Sequence, residues 1–404
     1  MHDPGLKYYV KRIVKRWHVY MLVIVLFPLY VFIRIIRPVK LIRFGTLNSE
    51  RMGHFAANTE LYLCERDHGM HPHNVMDIFF YSDYVCNKKL LTMWKRVLPV
   101  NQIAYYLSRI NNLFPGGKKH RITVTNNDRD IYGLLEKSKI HLSFTPEEKN
   151  EALAGLRKMD IGENIPFVCL VARDPLYMEK HFPRREWSYH DYRDCSIQNY
   201  ILSANELTAR GYFVVRMGVQ VKELMNTENP KVIEYTHEGY RTELLDMYLG
   251  AHCHFFISNG TGIDAVPTVF RRPVLYVNFV PVEYLITWNS KSITIFKKHW
   301  LKSERRFMSF REIIASGAGR YLGQDYGTNA YEKHGIELIE NTPEEIRDAV
   351  VEMDERLKGT WEASEEDEEL QKLFWSLIKP SELNGVFFSR IGANFLHQNR
   401  DLLD

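Results

Sequence analysis

Three short stretches end an apolar run with residues suited to an anion. In Phe255-Phe-Ile-Ser-Asn-Gly-Thr-Gly-Ile-Asp264, a strand-like run closes at Ser258 and passes through Asn259, Gly260, Thr261 and Gly262. Glycines there allow a tight turn and close backbone approach, and a helix beginning at Gly262 points free N–H groups outward. Those amides, with the hydroxyls of Ser258 and Thr261, suit a diphosphate. In Cys169-Leu-Val-Ala-Arg-Asp174 and Val214-Val-Arg-Met-Gly218, a strand delivers Arg173 or Arg216 to its end, the latter just before Gly218. Arg193 follows in the polar Tyr192-Arg-Asp194. Guanidinium is the best planar partner for phosphate, so the three loops together predict a cationic pocket. The plainer reading is local: Arg173 or Arg193 pairs with Asp174 or Asp194, Arg216 joins a surface ion pair, and the glycine turn only links strand to helix. The turn lacks both the Gly-Lys-Ser/Thr of a P-loop and a full dinucleotide fingerprint.

A fourth loop, Gly45 to His54, joins a first strand to a first helix. His54 at the helix start is the residue type best tuned to take a hydroxyl proton near neutral pH, with Glu50 as the alternative base. Asn48 and Arg51 could orient acceptor or donor, and helix capping or packing is the plainer role for His54. No metal is expected. His252 and His254 flank Cys253 at a spacing that places both on one strand face, too few ligands for a site. No Asp-x-Asp stands at a clear strand end, and Asp128-Arg-Asp130 reads as a helix-start loop. No G-x-S-x-G occurs, which argues against a serine hydrolase.

These loops need strands and helices to hold them, and the pattern supplies both. Lys40–Phe44 and Val75–Tyr81 read as strands, with helices over His54–Glu65 and Asn87–Val97 and a short extended piece at Ile122–Thr125 before a helical Asp130–Leu135. Thr145-Pro-Glu-Glu148 is a helix-start signal, and the helix runs to about Lys158. Beyond it, strands at Pro166–Val171, Tyr212–Arg216, Lys231–Tyr235, His254–Ser258 and Pro273–Asn278 alternate with helices at Ser196–Arg210, Thr242–Ala251 and after Thr342. Glu365 to Glu369 reads as a solvated loop or helix face. Alternation of this kind predicts an α/β protein of two Rossmann-like lobes, each with a mostly parallel sheet. The expected divisions are a basic amino terminus and membrane-associated helix over 1–38, an N-terminal acceptor-side lobe over 39–145 and a C-terminal donor-side lobe over 146–404.

At 404 residues the chain is long enough for two cores, and its net charge of +3 gives no reason to expect nucleic acid as a partner. Five cysteines, odd in number and without a C-x-x-C pair, fit reduced thiols buried as small hydrophobes. Val19 to Ile33 carries no charge and is flanked by Lys7, Lys11, Arg12, Lys15 and Arg16 before and Arg34, Arg37, Lys40 and Arg43 after. Fifteen helical residues reach about 22 Å, short of the roughly 30 Å hydrocarbon core. Pro28 lies inside the run and should kink it. A kinked, re-entrant or interfacial helix with both ends in the cytoplasm is the favoured reading, with a single span second.

The run Arg173-Asp174, Tyr192-Arg-Asp194, Asn199-Tyr200, Gly211-Tyr212, Arg216-Met-Gly218, Phe255-Phe-Ile-Ser258, Val266-Pro267 and Pro273 resembles a bacterial family of glycosyltransferases of surface-polysaccharide gene clusters. Arg43-Phe-Gly45, Gly53-His54 and Asn341-Thr-Pro-Glu-Glu345 resemble it too, so the likeness spans residues 40 to 400. More distantly, the arginine-ended strand is similar to that of fucosyltransferases with a guanosine-diphosphate donor, although Ala172-Arg173-Asp174 stands where those enzymes often carry paired arginines. The resemblance implies the two-lobed GT-B fold and a nucleotide-sugar donor held at its diphosphate by Arg173. It also implies a lipid-linked or cell-surface glycan acceptor and no cofactor. Together with the basic amino terminus, it suggests a location at the cytoplasmic face of the inner membrane. Two rivals stand beside it: a non-catalytic scaffold of a polysaccharide assembly complex, and a nucleotide-sugar-modifying enzyme such as an epimerase.

Overall fold

The computed structural model describes residues 6–122, 129–181, 187–322, 327–385, 387 and 389–404, without the side chains of 6–20, 177, 178 and 181. The chain divides into two units, Met1–Asn127 and Asp128–Asp404. The break falls ahead of the expected residue 145, and the reason lies in polar ties. Arg129 donates to the carbonyls of Tyr284, Leu285 and Leu383 and stacks over Trp288. Arg271 donates to the carbonyls of Leu135 and Lys139. The stretch before 145 is thereby bonded to the second unit. It is not the helix expected at Asp130–Leu135: the buried Asp130 carboxylate accepts from the amides of Leu134 and Leu135, and the chain there is a series of turns.

In the first unit, α1 (Leu6–Ile35) is one helix with Pro28 inside it. β1 (Leu41–Leu47) pairs in parallel with β2 (Val75–Tyr81), and α2 (Met52–Asp67), α3 (Lys88–Val97) and α4 (Ile103–Asn111) complete the unit. Gly45 belongs to β1 rather than to the loop after it, paired with Phe79, and a Cβ there would lie 2.6 Å from the Phe79 ring. Single bridges at Arg121 and Val100 extend this sheet at both edges, so it is much smaller than a Rossmann lobe. Residues 123–125 of the expected extended piece lie outside the described residues. No helix among the described residues is long and apolar enough to cross a membrane.

The second unit is the larger. Its strands are β3 (Phe167–Leu170), β4 (Phe213–Arg216), β5 (Val232–Glu234), β6 (Phe256–Ser258), β7 (Val274–Phe279), β8 (Ile293–Phe296), β9 (Lys298–Leu301), β10 (Arg306–Phe307), β11 (Ile336–Ile339) and β12 (Arg390–Ile391). Seven make one wholly parallel sheet in the order β12-β8-β7-β6-β3-β4-β5, and β10, β9 and β11 form a small antiparallel one. From β3 the chain winds outward to β5, then returns to β6 and winds the other way. That is the doubly wound dinucleotide-fold order, reversing between β3 and β6. Its central strands are buried on both faces, as parallel strands under helices must be.

The helices of this unit are α5 (Pro146–Lys158), α6 (Leu176–His181), α7 (Ile201–Ala209), α8 (Glu243–His252), α9 (Ala265–Val269), α10 (Phe310–Ala315), α11 (Gly327–Lys333), α12 (Pro343–Lys358), α13 (Glu365–Leu377) and α14 (Ala393–Gln398). Thr145 and Thr342 cap the helix starts that their sequences suggested, each through a capping box with Glu148 or Glu345. The acidic Glu365–Glu369 run is the first turn of α13, where negative charge meets the helix dipole. His252 ends α8 and His254 lies beyond it, so the two do not share a strand face.

Candidate functional site

The carboxyl ends of β3 and β4 open on a cavity of about 680 Å³. Arg173, three residues past β3, and Arg216, the last residue of β4, both line it. Parallel registry puts Leu170 beside Arg216, which is why two strand-end arginines far apart in sequence converge. The cavity sits one strand to the side of the point where the winding reverses.

The arginines are not bare. Arg216 is almost wholly buried, and its Nη1 lies 3.0 Å from Glu234 Oε1 on β5 and also donates to the Glu223 carbonyl. The expected surface ion pair is therefore a buried one, crossing two strands. Its Nε is buried with no acceptor among the described residues. Arg173 donates to the His190 carbonyl at 3.1 Å and to the Asp194 carboxylate. Burial holds the Arg173 guanidinium below its ordinary pKa, with nearby Arg193 adding to the effect. Burial also raises the Asp194 carboxyl to about 6, against the opposing pull of Arg173. Arg193 is absent from the lining, and its Nε is buried without an acceptor among the described residues. Asp174 is spent on the backbone, accepting from the amides of Leu176 and Lys222.

The glycine turn behaves differently from the expectation. Ser258 Oγ donates to Asp264 at 2.8 Å and accepts from the amides of Gly260 and Thr261, so the hydroxyl and two of the amides meant for a diphosphate are used internally. Gly260 is required at φ +83°, and a Cβ there would lie 3.3 Å from the Phe279 ring. Asn259 is a staple: its Oδ1 accepts from the Arg173 amide, and its Nδ2 donates to the Arg193 carbonyl at 2.7 Å. It bridges the ends of β3 and β6 where a crevice would open. Gly262 starts a single 3-10 turn leading to the five-residue α9, a poor substitute for a full helix amino terminus. Thr261 Oγ1 is buried without a partner among the described residues. None of Ser258, Asn259, Gly260, Thr261 and Gly262 lines the cavity, nor does Gly218, whose carbonyl accepts from Thr236.

Among the described lining residues, the cations Arg173, Arg216 and Lys222 face six carboxylates: Asp174, Glu179, Asp191, Asp194, Glu223 and Glu340. The expected cationic pocket is thus a mixed one. It can hold a phosphate where an arginine exchanges a carboxylate for it or where the Arg216 Nε donates, while the remaining carboxylates suit the hydroxyls of a sugar or ribose.

No protein-family model matches the chain, and no curated protein matches it. Among solved structures, the chain is similar to the ADP-heptose LPS heptosyltransferase II of E. coli at 11% identity, over 59% of this chain and 86% of that one, with TM-score 0.35. It is also similar to a family 9 glycosyl transferase from Veillonella parvula DSM 2008 at 11% identity, over 73% of this chain and 97% of that one, with TM-score 0.41.

Sequence reasoning overlooked two residues at this site. Lys297, directly after β8, is buried; its Nζ donates to the carbonyls of Tyr192 at 3.2 Å and Asp194 at 2.5 Å, and so fixes the loop that presents Asp194. Burial lowers its pKa. The apolar run Ile293–Phe296 closing on a lysine was the available signal. Glu340, past β11, accepts from the Ser196 amide and from Asn199 Nδ2, and no local pattern marks it. Cys195 also lines the cavity, and burial pushes its thiol up to about 11, which keeps it protonated. Cys64, Cys169 and Cys253 are buried as expected, but Cys86 and Cys195 are only half-buried.

In the first unit, Asn48, Glu50 and Arg51 are exposed around the start of α2, and His54 is half-buried in its first turn. The buried Ser49 between them donates to the Tyr84 carbonyl and accepts from the Ser82 amide, which anchors this loop to the one after β2. Arg51 occupies the N-cap position without capping through its side chain.

Proposed function

We propose that the chain is a glycosyltransferase of GT-B-like organisation. It moves a hexosyl or deoxyhexosyl group from a nucleotide-sugar donor to a lipid-linked or cell-surface glycan of a bacterial polysaccharide, at the cytoplasmic face of the inner membrane and without a divalent ion. One observation carries the reading: Arg173 and Arg216 line a single cavity at the carboxyl ends of adjacent parallel strands, and Arg216 keeps a buried Nε without an acceptor among the described residues. Anions and nucleotides bind at such strand ends in doubly wound sheets. The acceptor hydroxyl forms a bond to the anomeric carbon of the donor, the bond from that carbon to the diphosphate oxygen breaks, and the nucleoside diphosphate leaves with the electron pair. His54 or Glu50 takes the hydroxyl proton, with Asn48 and Arg51 orienting acceptor or donor. Arg173 and Arg216 stabilise the charge that grows on the leaving diphosphate.

One observation favours a non-catalytic scaffold instead: both arginines already have carboxylate partners. A thermal-shift panel of nucleoside diphosphates and their sugars separates the two. The transferase reading expects one nucleotide series to raise Tm and Arg173→Ala to remove the rise. No rise with any member would leave the scaffold.

A further inference from the structure

The small net charge of the chain conceals a strong internal division. Met1–Asn127 carries 19 Lys and Arg against 7 Asp and Glu, a balance of +12, whereas Asp128–Asp404 carries 34 against 43, a balance of −9. Within the first unit the acidic residues are confined. None lies between Pro4 and Ser49, nor between Tyr84 and Asn127. Those two stretches supply α1 and α4, which pack on each other.

The inner face of α1 is accounted for. Tyr30 and Ile33 are buried with Ala104, Leu107 and Ile110, and Val23 and Leu26 pack beside them. The opposite face is not. Met21, Ile24, Val25, Val31, Phe32 and Ile35 fall at three- and four-residue spacing with Pro28 among them, and Ile24, Val25 and Ile35 are each more than 60% exposed. A helix that is apolar all round ordinarily lies buried. This one shows water a continuous apolar stripe, a feature that marks an interaction surface. The patch extends past the helix. Phe114 stacks on Tyr30 at 5.2 Å, Arg34 donates to the Pro115 carbonyl at 2.5 Å, and Leu113 is 75% exposed beside them. Lys118, Lys119 and Arg121, all exposed, follow directly.

We propose that the first unit docks on an anionic lipid surface, with α1 lying in the plane of the interface. The outer stripe of α1 and the Leu113–Phe114 turn enter the acyl boundary, and Lys118 and Lys119 sit among the phosphates. This deepens the membrane part of the function proposed above by naming the face and the lipid class, and it does not depend on what the cavity of the second unit binds. Charge decides the occupant. A second copy of the chain would bring the same acid-free cationic stretches together. A nucleic acid would leave the apolar stripe in water. An interfacial helix with a basic border satisfies both features, and no described helix is long and apolar enough to span.

The test uses the full chain and flotation with vesicles of phosphatidylcholine alone or mixed with phosphatidylglycerol, read without any activity. The wild type should float with the mixed vesicles and much less with the neutral ones. Lys118→Ala with Lys119→Ala should weaken the anionic preference roughly thirtyfold, the effect of two basic side chains at such a surface. Ile24→Gln with Phe32→Gln should abolish flotation at unchanged Tm, since both side chains already face solvent. Wild type remaining unbound at both compositions would overturn the proposal. So would undiminished flotation of the Gln pair, a dimer that the Gln pair dissociates, or binding of an RNA oligomer without vesicle binding.

Discussion

The strand-end arginines of the second unit and its glycine turn looked alike in sequence, yet the fold uses them in opposite ways. Arg173 and Arg216 reach a cavity; the turn from Ser258 to Gly262 satisfies much of its own polarity and does not line that cavity. The difference comes from side-chain length and hydroxyl position. A guanidinium reaches several ångströms beyond its strand, whereas a serine at the last strand position sits within hydrogen-bond reach of the two amides that follow and competes with a ligand for them. A glycine turn after a strand therefore specifies backbone shape, and a ligand site needs the amides to be left over as well.

Breaking Arg216 should have the largest effect. Arg216→Met leaves Glu234 inside the sheet without its cation, an expected loss of about 3–5 kcal/mol in urea unfolding. Arg216→Met with Glu234→Met should recover most of that stability while leaving nucleotide binding impaired. If the double variant binds as wild type does, Arg216 serves the sheet alone. Arg173 is the sharper functional probe, because its partner Asp194 is less deeply buried and can be neutralised by a proton. Arg173→Ala should weaken binding of the nucleotide sugar by roughly a hundredfold, the scale of one lost charged hydrogen-bonding group, as measured by calorimetry.

Ser258→Ala tests the other half of the contrast. It removes the acceptor for two amides and one donor to Asp264, at a cost of about 2 kcal/mol in unfolding free energy. Nucleotide affinity should change less than about twofold, well inside a single hydrogen bond. A large affinity loss at intact stability would return the turn to the binding site.

Much of the second unit was legible because its signals are local. Apolar runs of four to six residues marked β3, β4 and β7, and Thr145 and Thr342 with their downstream glutamates marked two helices. Pairings across the sheet were not legible. Nothing near Arg216 in sequence announces Glu234, which becomes its neighbour only when β4 and β5 lie side by side, and Glu340 arrives from a separate sheet. The unit boundary was misplaced for the same reason: the Arg129 and Arg271 bonds that tie residues before 145 to the second unit span more than a hundred positions. In the first unit, α1 was visible as an apolar run, but which side of it the protein covers depends on α4, far along the chain.

The subtlest difference between the two regions should appear with pH, since the turn contains no group comparable to Asp194. The Asp194 carboxyl titrates at about 6 in the fold, above its ordinary value near 4 in an unfolded chain. Its protonated form therefore favours folding; that contribution is complete below about pH 4 and is lost as pH rises through about 6. Protonation also removes the charge that competes with a phosphate for Arg173. A nucleotide sugar is the suitable probe, because its pyrophosphate diester does not titrate in this range. Between pH 7 and pH 5 its affinity should rise by up to about tenfold, the limit set by the fraction of Asp194 already protonated at pH 7. Asp194→Asn should hold the higher affinity across the whole range and flatten the profile. An unchanged slope in the Asn variant would assign the titration to another group, and a wild-type profile that is already flat would mean that Asp194 keeps its hold on Arg173 with ligand bound. The phosphate would then have to be met by the unpaired Nε of Arg216.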